Sequence, residues 1–111
     1  MNIGPLGEHV AKSFLEERGY AFLTSNYRAK EGEIDLIMND PKTNQVVFIE
    51  VKTRTSGNPI APNDQLTEEK LIRLAKTASY YTQEHNIEDW RFELVGVTLE
   101  NGVARASLIA L

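Results

Sequence analysis

The chain has 111 residues, 41% of them hydrophobic and 25% charged, with a net charge of −4. That length supports one domain with a real core and is too short for two, so residues 1–111 are read as a single domain. The absence of cysteine excludes disulfides, thiolate zinc sites and cysteine nucleophiles, and two histidines, His9 and His85, are too few for a histidine-rich centre; any metal must be held by oxygen, which favours Mg²⁺ or Mn²⁺.

From about Gly4 to Arg18, the residues Leu6, Val10, Ala11, Phe14 and Leu15 recur at helical spacing, and Gly19 supplies a C-terminal cap. Glu8 lies at the edge of the apolar arc, beside Leu15 on a helical wheel. Its carboxylate either reaches the rim of a site on a neighbouring sheet or is an ordinary acid near a helix N-terminus. His9 lies off the apolar face and reads as a surface residue. Tyr20–Tyr27 then reads as a strand entering a polar turn, Arg28–Gly32, in which Arg28 and Lys30 are solvated loop charges or phosphate contacts.

The next stretch is a hairpin: Gly32–Met38, the turn formers Asn39–Gln45, then Val46–Arg54. The first arm alternates Glu33, Asp35 and Ile37 against Ile34, Leu36 and Met38. The second alternates Phe48, Glu50 and Lys52 against Val47, Ile49 and Val51. With a symmetric turn, paired residue numbers sum to about 85, which sets Asp35 opposite Glu50 and Glu33 opposite Lys52. Opposed carboxylates repel, by roughly a few tenths of a kcal/mol or more. Two arrangements relieve this: a divalent cation between the acids, or a solvated strand face on which Lys52 neutralises one of them. The apolar run Val46–Ile49, typical of a strand buried on both faces, counts against the solvated face.

Thr55–Asp64 is rich in Gly, Pro and Asn and reads as a surface loop. A second helix follows from Leu66 or Thr67 to His85, with Leu71, Leu74, Ala75, Ala78 and Tyr81 as its core stripe and Glu68 and Glu69 suited to its N-terminus. Lys70 borders the apolar arc, and Arg73 and Lys76 lie further round, forming a basic flank or simply a solvated face. Tyr80 and Tyr81 read as packing residues rather than a base-stacking platform. Trp90 reads as a core anchor, and Arg91–Leu99 and Val103–Ile109 as two strands joined through Asn101-Gly102, a strong hairpin signal. The order of one helix, three strands, one helix and two strands is an α/β arrangement.

No apolar run approaches the roughly 20 residues of a membrane span, and the N-terminus lacks a secretory pattern; a soluble, cytoplasmic protein with no membrane partner is expected. The acidic balance opposes a tight, nonspecific nucleic-acid binder. Its distribution softens that objection: of sixteen acids and twelve bases, residues 84–100 hold five acids against Arg91 alone, and the remainder balances.

Asp35, fourteen intervening residues and Glu50-Val51-Lys52 resemble the acid…(Asp/Glu)-x-Lys signature of the PD-(D/E)xK nuclease superfamily, which includes restriction endonucleases and Holliday-junction resolvases. A closer resemblance, over nearly the whole chain, is to the bacterial UPF0102 or YraN-like family. It is carried by Gly7-Glu8 with Ala11 and Leu15, Gly19-Tyr20, Asn26-Tyr27-Arg28, Gly32–Ile37, Val47–Arg54, Lys70 and Arg91-Phe92. The segment Gly57–Gln65 departs from that family's more regular lead into the second helix. The resemblance implies a restriction-endonuclease-like mixed β-sheet flanked by helices, in the order α-β-β-β-α-β-β, and a DNA endonuclease dependent on Mg²⁺ or Mn²⁺. By the same resemblance Asp35 and Glu50 would hold the metal, Glu8 would complete the acidic set, Glu33 would be a further ligand or shape the site, and Lys52 would stand beside the attacking water. Arg28, Lys30, Arg54 and Lys70 would contact the nucleic-acid backbone. Branched DNA is one substrate it suggests, for which a homodimer would supply two cuts. The alternatives are a non-catalytic nucleic-acid-binding or accessory module that retains the fold, and a metal-dependent hydrolase of RNA or nucleotides.

Overall fold

The run Val46-Val47-Phe48-Ile49 is buried on both sides in the computed structural model, which describes residues 3–55 and 66–111. Apart from Thr55, the surface loop expected over Thr55–Asp64, and with it the departure at Gly57–Gln65, lies outside the described residues. A strand with apolar side chains on both faces needs a layer on each side, and two helices supply them. The elements are α1 (Ile3–Glu17), β1 (Ala21–Ala29), β2 (Gly32–Asp40), β3 (Gln45–Thr55), α2 (Glu68–His85), β4 (Trp90–Glu100) and β5 (Val103–Ile109). This is the expected α-β-β-β-α-β-β order. The five strands lie side by side in chain order. All neighbours are antiparallel except β3 and β4, whose parallel pairing needs a crossover, which α2 provides.

One core lies under α1, where Ala11 and Leu15 pack on Leu36, Met38, Val47, Ile49, Val95 and Val97. The other lies under α2, where Leu74, Ala78 and Tyr81 pack on Ile34, Ile37, Val46 and Phe48. The inner face of α1 is narrower than its hydrophobic periodicity predicts. Ala11 and Leu15 are fully buried, whereas Leu6 is 43% exposed. At Gly7 the helix lies so close to β3 that an added Cβ would collide with Thr53 Oγ1. The helix ends as expected, with Gly19 at φ +95° and the Tyr20 amide donating to the Leu15 carbonyl at 3.0 Å. In α2, Thr67 caps the N-terminus by accepting from the Lys70 amide at 3.2 Å. Thr77, absent from the expected core stripe, is fully buried because its hydroxyl is satisfied by the Arg73 carbonyl at 2.9 Å.

The β2–β3 ladder has the expected register, running from Asp40↔Gln45 to Leu36↔Ile49. It stops there, one pair short of Asp35 and Glu50, so neither Asp35/Glu50 nor Glu33/Lys52 forms a ladder pair. The alternation expected for β2 also fails at this point. Leu36 and Met38 face α1, but Ile34 joins Ile37 in the core under α2. Residues two apart on a regular strand share a face, so the phase of β2 slips across Asp35. The partner strand is distorted at the same level: the pairs Ser25↔Leu36 and Tyr27↔Ile34 bracket Asn26, which has φ +52°. The sheet is therefore kinked on β1 and β2 together, and open between β2 and β3, where the acidic residues lie.

Candidate active site

The opening frees the Val51 amide from the ladder, and the Asp35 side chain takes it. Val51 N donates to Asp35 Oδ2 at 2.7 Å, so a carboxylate stands where a backbone carbonyl would have paired. The carboxyl is partly withdrawn from water. Burial first, then repulsion by Glu50, push it up to about 7; the Val51 hydrogen bond opposes this, and Glu8 and Glu33 add to the rise. Glu50 projects to the α2 side, where Lys70 Nζ lies 3.2 Å from its Oε1.

Glu8 arrives from α1, brought near β3 by the close approach at Gly7. Its pKa is raised by burial and by Glu33, lowered by a hydrogen bond from Asn26, and raised again by Glu50. Asn26, with its amide oriented to satisfy its surroundings, donates from one nitrogen to Glu33 Oε1 at 3.2 Å and Glu8 Oε1 at 3.1 Å. Sequence reasoning did not assign Asn26 to the site. A signal existed: Asn is a poor strand former and tolerates a left-handed backbone, so an Asn inside Thr24-Ser25-Asn26-Tyr27 marks an irregular position. On the outer side, Arg28 Nε reaches Glu33 Oε1 at 3.4 Å from a side chain that is 79% exposed, a weak contact.

The structure thus brings Glu8, Glu33, Asp35, Glu50, Arg28 and Lys70 together around one end of the hairpin. Lys52 and Arg54 follow Glu50 along β3, level with Gly96 and Thr98 of β4. Lys30 is exposed in the turn between β1 and β2. Among the described residues no three Asp, Glu or His side chains converge closely enough to hold an ion as they stand: Glu50 is drawn to Lys70, Glu33 to Arg28 and Asn26. The chemistry of the set nevertheless suits a hard cation. The donors are all carboxylate oxygens, and loss of solvation together with the neighbouring acids raises the Asp35 pKa.

A second charged cluster occupies the other end of the same hairpin. Arg91 on β4 donates to Asp40 Oδ2 at 2.9 Å, Glu93 Oε1 at 2.6 Å, Tyr20 Oη at 2.9 Å, Thr43 Oγ1 at 3.0 Å and Gln45 Oε1 at 2.7 Å. Asp40 also accepts from the Lys42 amide at 3.0 Å. Burial by itself would raise the Asp40 pKa, but Arg91, the Lys42 amide and Thr43 together pull it below the ordinary carboxylate value. Tyr20, which donates to Glu93 at 2.6 Å, is pushed up to about 12 by burial and by that acceptor.

The family model described as uncharacterised protein family UPF0102 matches residues 7–97, a span that includes every member of both clusters. A UPF0102 protein of Syntrophus aciditrophicus is 38% identical over 111 residues, covering 98% of this chain and 86% of its own. One from Coxiella burnetii is 41% identical over 104 residues, covering 91% and 85%. One from Caldicellulosiruptor bescii is 36% identical over 112 residues, covering 96% and 92%. No helix among the described residues is long and apolar enough to cross a membrane.

Proposed function

This chain belongs to the UPF0102 family, and from that premise we propose that it is a divalent-metal-dependent endonuclease hydrolysing phosphodiester bonds in DNA. The observation that carries the proposal is the state of Asp35: a carboxylate held in the gap between two strands by the Val51 amide at 2.7 Å, with burial and Glu50 raising its pKa to about 7. A purely structural aspartate is paired with a cation, as Asp40 is with Arg91. One kept against its own solvation and beside another acid suits a positive ligand.

Asp35 and Glu50 would hold Mg²⁺ or Mn²⁺, with Glu8 and Glu33 completing the acidic set. Bound there, the ion neutralises charge on a phosphate oxygen and acidifies water. The chain's own residues do the rest. Lys52, two positions beyond Glu50 on the same strand, carries a compact positive charge suited to orient the attacking water and to stabilise charge developing on the phosphate. The water oxygen would form the new P–O bond as it gives up a proton to solvent, the bridging P–O bond to the sugar would break, and the leaving oxygen would take a proton from solvent. Lys70 neutralises Glu50 in the free protein and is placed to exchange that carboxylate for a substrate phosphate. Asn26 sets the separation of Glu8 and Glu33. Arg28, Lys30 and Arg54 would position the backbone without reading sequence.

A second reading, a nucleic-acid-binding module without cleavage, is favoured by the engagement of Glu50 with Lys70, which occupies a carboxylate that a metal would need. Calorimetric titration of Mn²⁺ at low salt and near neutral pH, into the wild type and into Asp35→Asn, separates the two when followed by cleavage assays on labelled linear, flapped and branched DNA. Binding and cleavage in the wild type, both lost in Asp35→Asn, are expected. Equal Mn²⁺ binding by the variant would remove the metal from this site, and DNA binding without cleavage would establish the second reading. Cutting both strands of a branched DNA would require a homodimer, which sedimentation with and without that DNA detects.

A further inference from the structure

The acidic cluster is bordered by two grooves, one on each face of the sheet. On the α1 face a cavity of about 240 Å³ lies between α1 and the edge strand β1, walled by Glu8, Lys12, Phe22 and Asn26 among others. On the α2 face a cavity of about 180 Å³ lies between the β1–β2 turn and α2, walled by Glu31, Glu33, Lys70 and Arg73 among others. Each groove shares a carboxylate with the cluster, Glu8 in the first and Glu33 in the second. Asn26 bonds both, so a single side chain links a wall residue of one groove to a wall residue of the other at the kinked end of the sheet. Each also has a cation in its wall, Lys12 in the first and Arg73 in the second. Lys12 Nζ is held 4.2 Å from the centroid of the Phe22 ring, and Arg73 lies one helical turn beyond Lys70.

Resting on the nuclease reading above, we infer that a single strand of nucleic acid runs through both grooves, turning around the open end of the sheet with its scissile phosphate at Asp35 and Glu50, so that the substrate is single-stranded at the cut. Both cavities are below the roughly 300 Å³ of a pocket that encloses a whole drug-sized ligand, and both are open to solvent along the sheet edge. The path changes face over the thickness of one sheet. A duplex resists such a turn, because it is stiff over on the order of 150 base pairs and a sharp bend must be offset by a strongly basic interface. This chain, at −4, has no such surplus of positive charge. A single strand is flexible and is guided by a few cations along a groove. Lys12 on one face and Arg73 on the other are the contacts that only a strand passing through both grooves would use together.

The test is binding in EDTA, where metal-dependent cleavage is silent, read by fluorescence anisotropy at low salt. The probes are a labelled oligothymidylate of about 12 nucleotides, within the roughly 4–16 that single-strand sites cover, and a duplex of the same length. The oligothymidylate is expected to bind about tenfold tighter or more. Lys12→Glu and Arg73→Glu should each weaken it by about three- to tenfold, with effects that multiply in the double variant because the sites are on opposite faces. Lys12→Gln and Arg73→Gln carry the same test with smaller effects if a reversal disturbs folding, which circular dichroism monitors. Duplex affinity equal to or above that of the single strand, or a folded variant of either residue that binds normally, overturns the inference. Its failure is distinct from failure of the nuclease reading, which is absence of Mn²⁺-dependent cleavage on single-stranded, flapped and duplex DNA alike.

Discussion

Asp35 and Asp40 stand on the same strand, five residues apart, and meet opposite fates. Asp40 is buried at the closed end of the hairpin, where Arg91 and the Lys42 amide satisfy it and hold its pKa below the ordinary value. Asp35 is half-buried at the open end, where one amide is outweighed by lost solvation and by Glu50, and its pKa rises to about 7. Burial of an acid therefore carries no functional meaning alone; what distinguishes the two is whether the neighbouring charge favours the carboxylate. At Asp40 it does, and the cluster ties β2, β4 and the start of β1 together. At Asp35 it does not: Glu50, Glu8 and Glu33 raise its pKa, and a metal or a cationic environment would lower it.

The largest effect expected from breaking this contrast comes from Arg91→Ala. It would leave Asp40 and Glu93 with no positive partner in a cluster where Arg91 itself is 28% exposed and the acids 8% and 13%. Removing one partner of such a pair costs about 3 kcal/mol, a fall in Tm on the order of 10–20 °C by thermal denaturation. Arg91→Lys should recover only part, since a single ammonium replaces a fork that serves five acceptors.

Asp40→Asn is next, with an expected loss of about 2 kcal/mol at neutral pH. Its folded pKa is depressed, so the stability it contributes is present above the unfolded value of 3.8 and is lost as pH falls through the folded value. The gap between wild type and Asp40→Asn should close in strong acid. Asp35→Asn should have the opposite sign. Its folded pKa is raised, so stability is fully present below 3.8 and is lost as pH rises towards about 7. The variant, which keeps an acceptor for the Val51 amide, should gain stability relative to wild type across that range, on the order of 1 kcal/mol at pH 8 without metal, and nothing at low pH. Denaturation of both variants from pH 3 to 8 reads the two signs in one experiment. The smallest change is expected for Lys70→Met, which removes an ion pair whose lysine is 45% exposed. Stability should move by no more than about 0.5 kcal/mol in urea denaturation, against the large loss at Arg91.

The hairpin register was legible because turn chemistry centres the pairing: the turn formers between Asn39 and Gln45 set a sum of 85, and the ladder from Asp40↔Gln45 to Leu36↔Ile49 follows it. Extending that register by simple alternation to Asp35 misled, because alternation assumes a continuous ladder, and the ladder ends where β2 shifts phase. Gly19 and Asn101-Gly102 were readable for a related reason. Each adopts a positive φ that few other residues tolerate, so the residue type reports the backbone directly. Leu6 was misassigned because the arc buried by a helix depends on how closely it approaches its sheet, and the collision a Cβ at Gly7 would make with Thr53 sets that approach.

Local chemistry, then, determined the elements of this protein: helices from a repeat of about 3.6 residues, strands from a repeat of two, their ends from caps and turn formers, and the acids of the site from their positions on neighbouring strands. Tertiary structure alone decided which of those acids are balanced. Arg91 lies fifty-one residues from Asp40 and reaches it only because α2 carries the chain across to a parallel strand beside β3. Asn26 meets Glu8 and Glu33 only because β1 kinks where β2 does. Charge compensation depends on distance in space, which local periodicity does not encode, and this is why Asp35 and Asp40 look alike along the chain and differ in the fold.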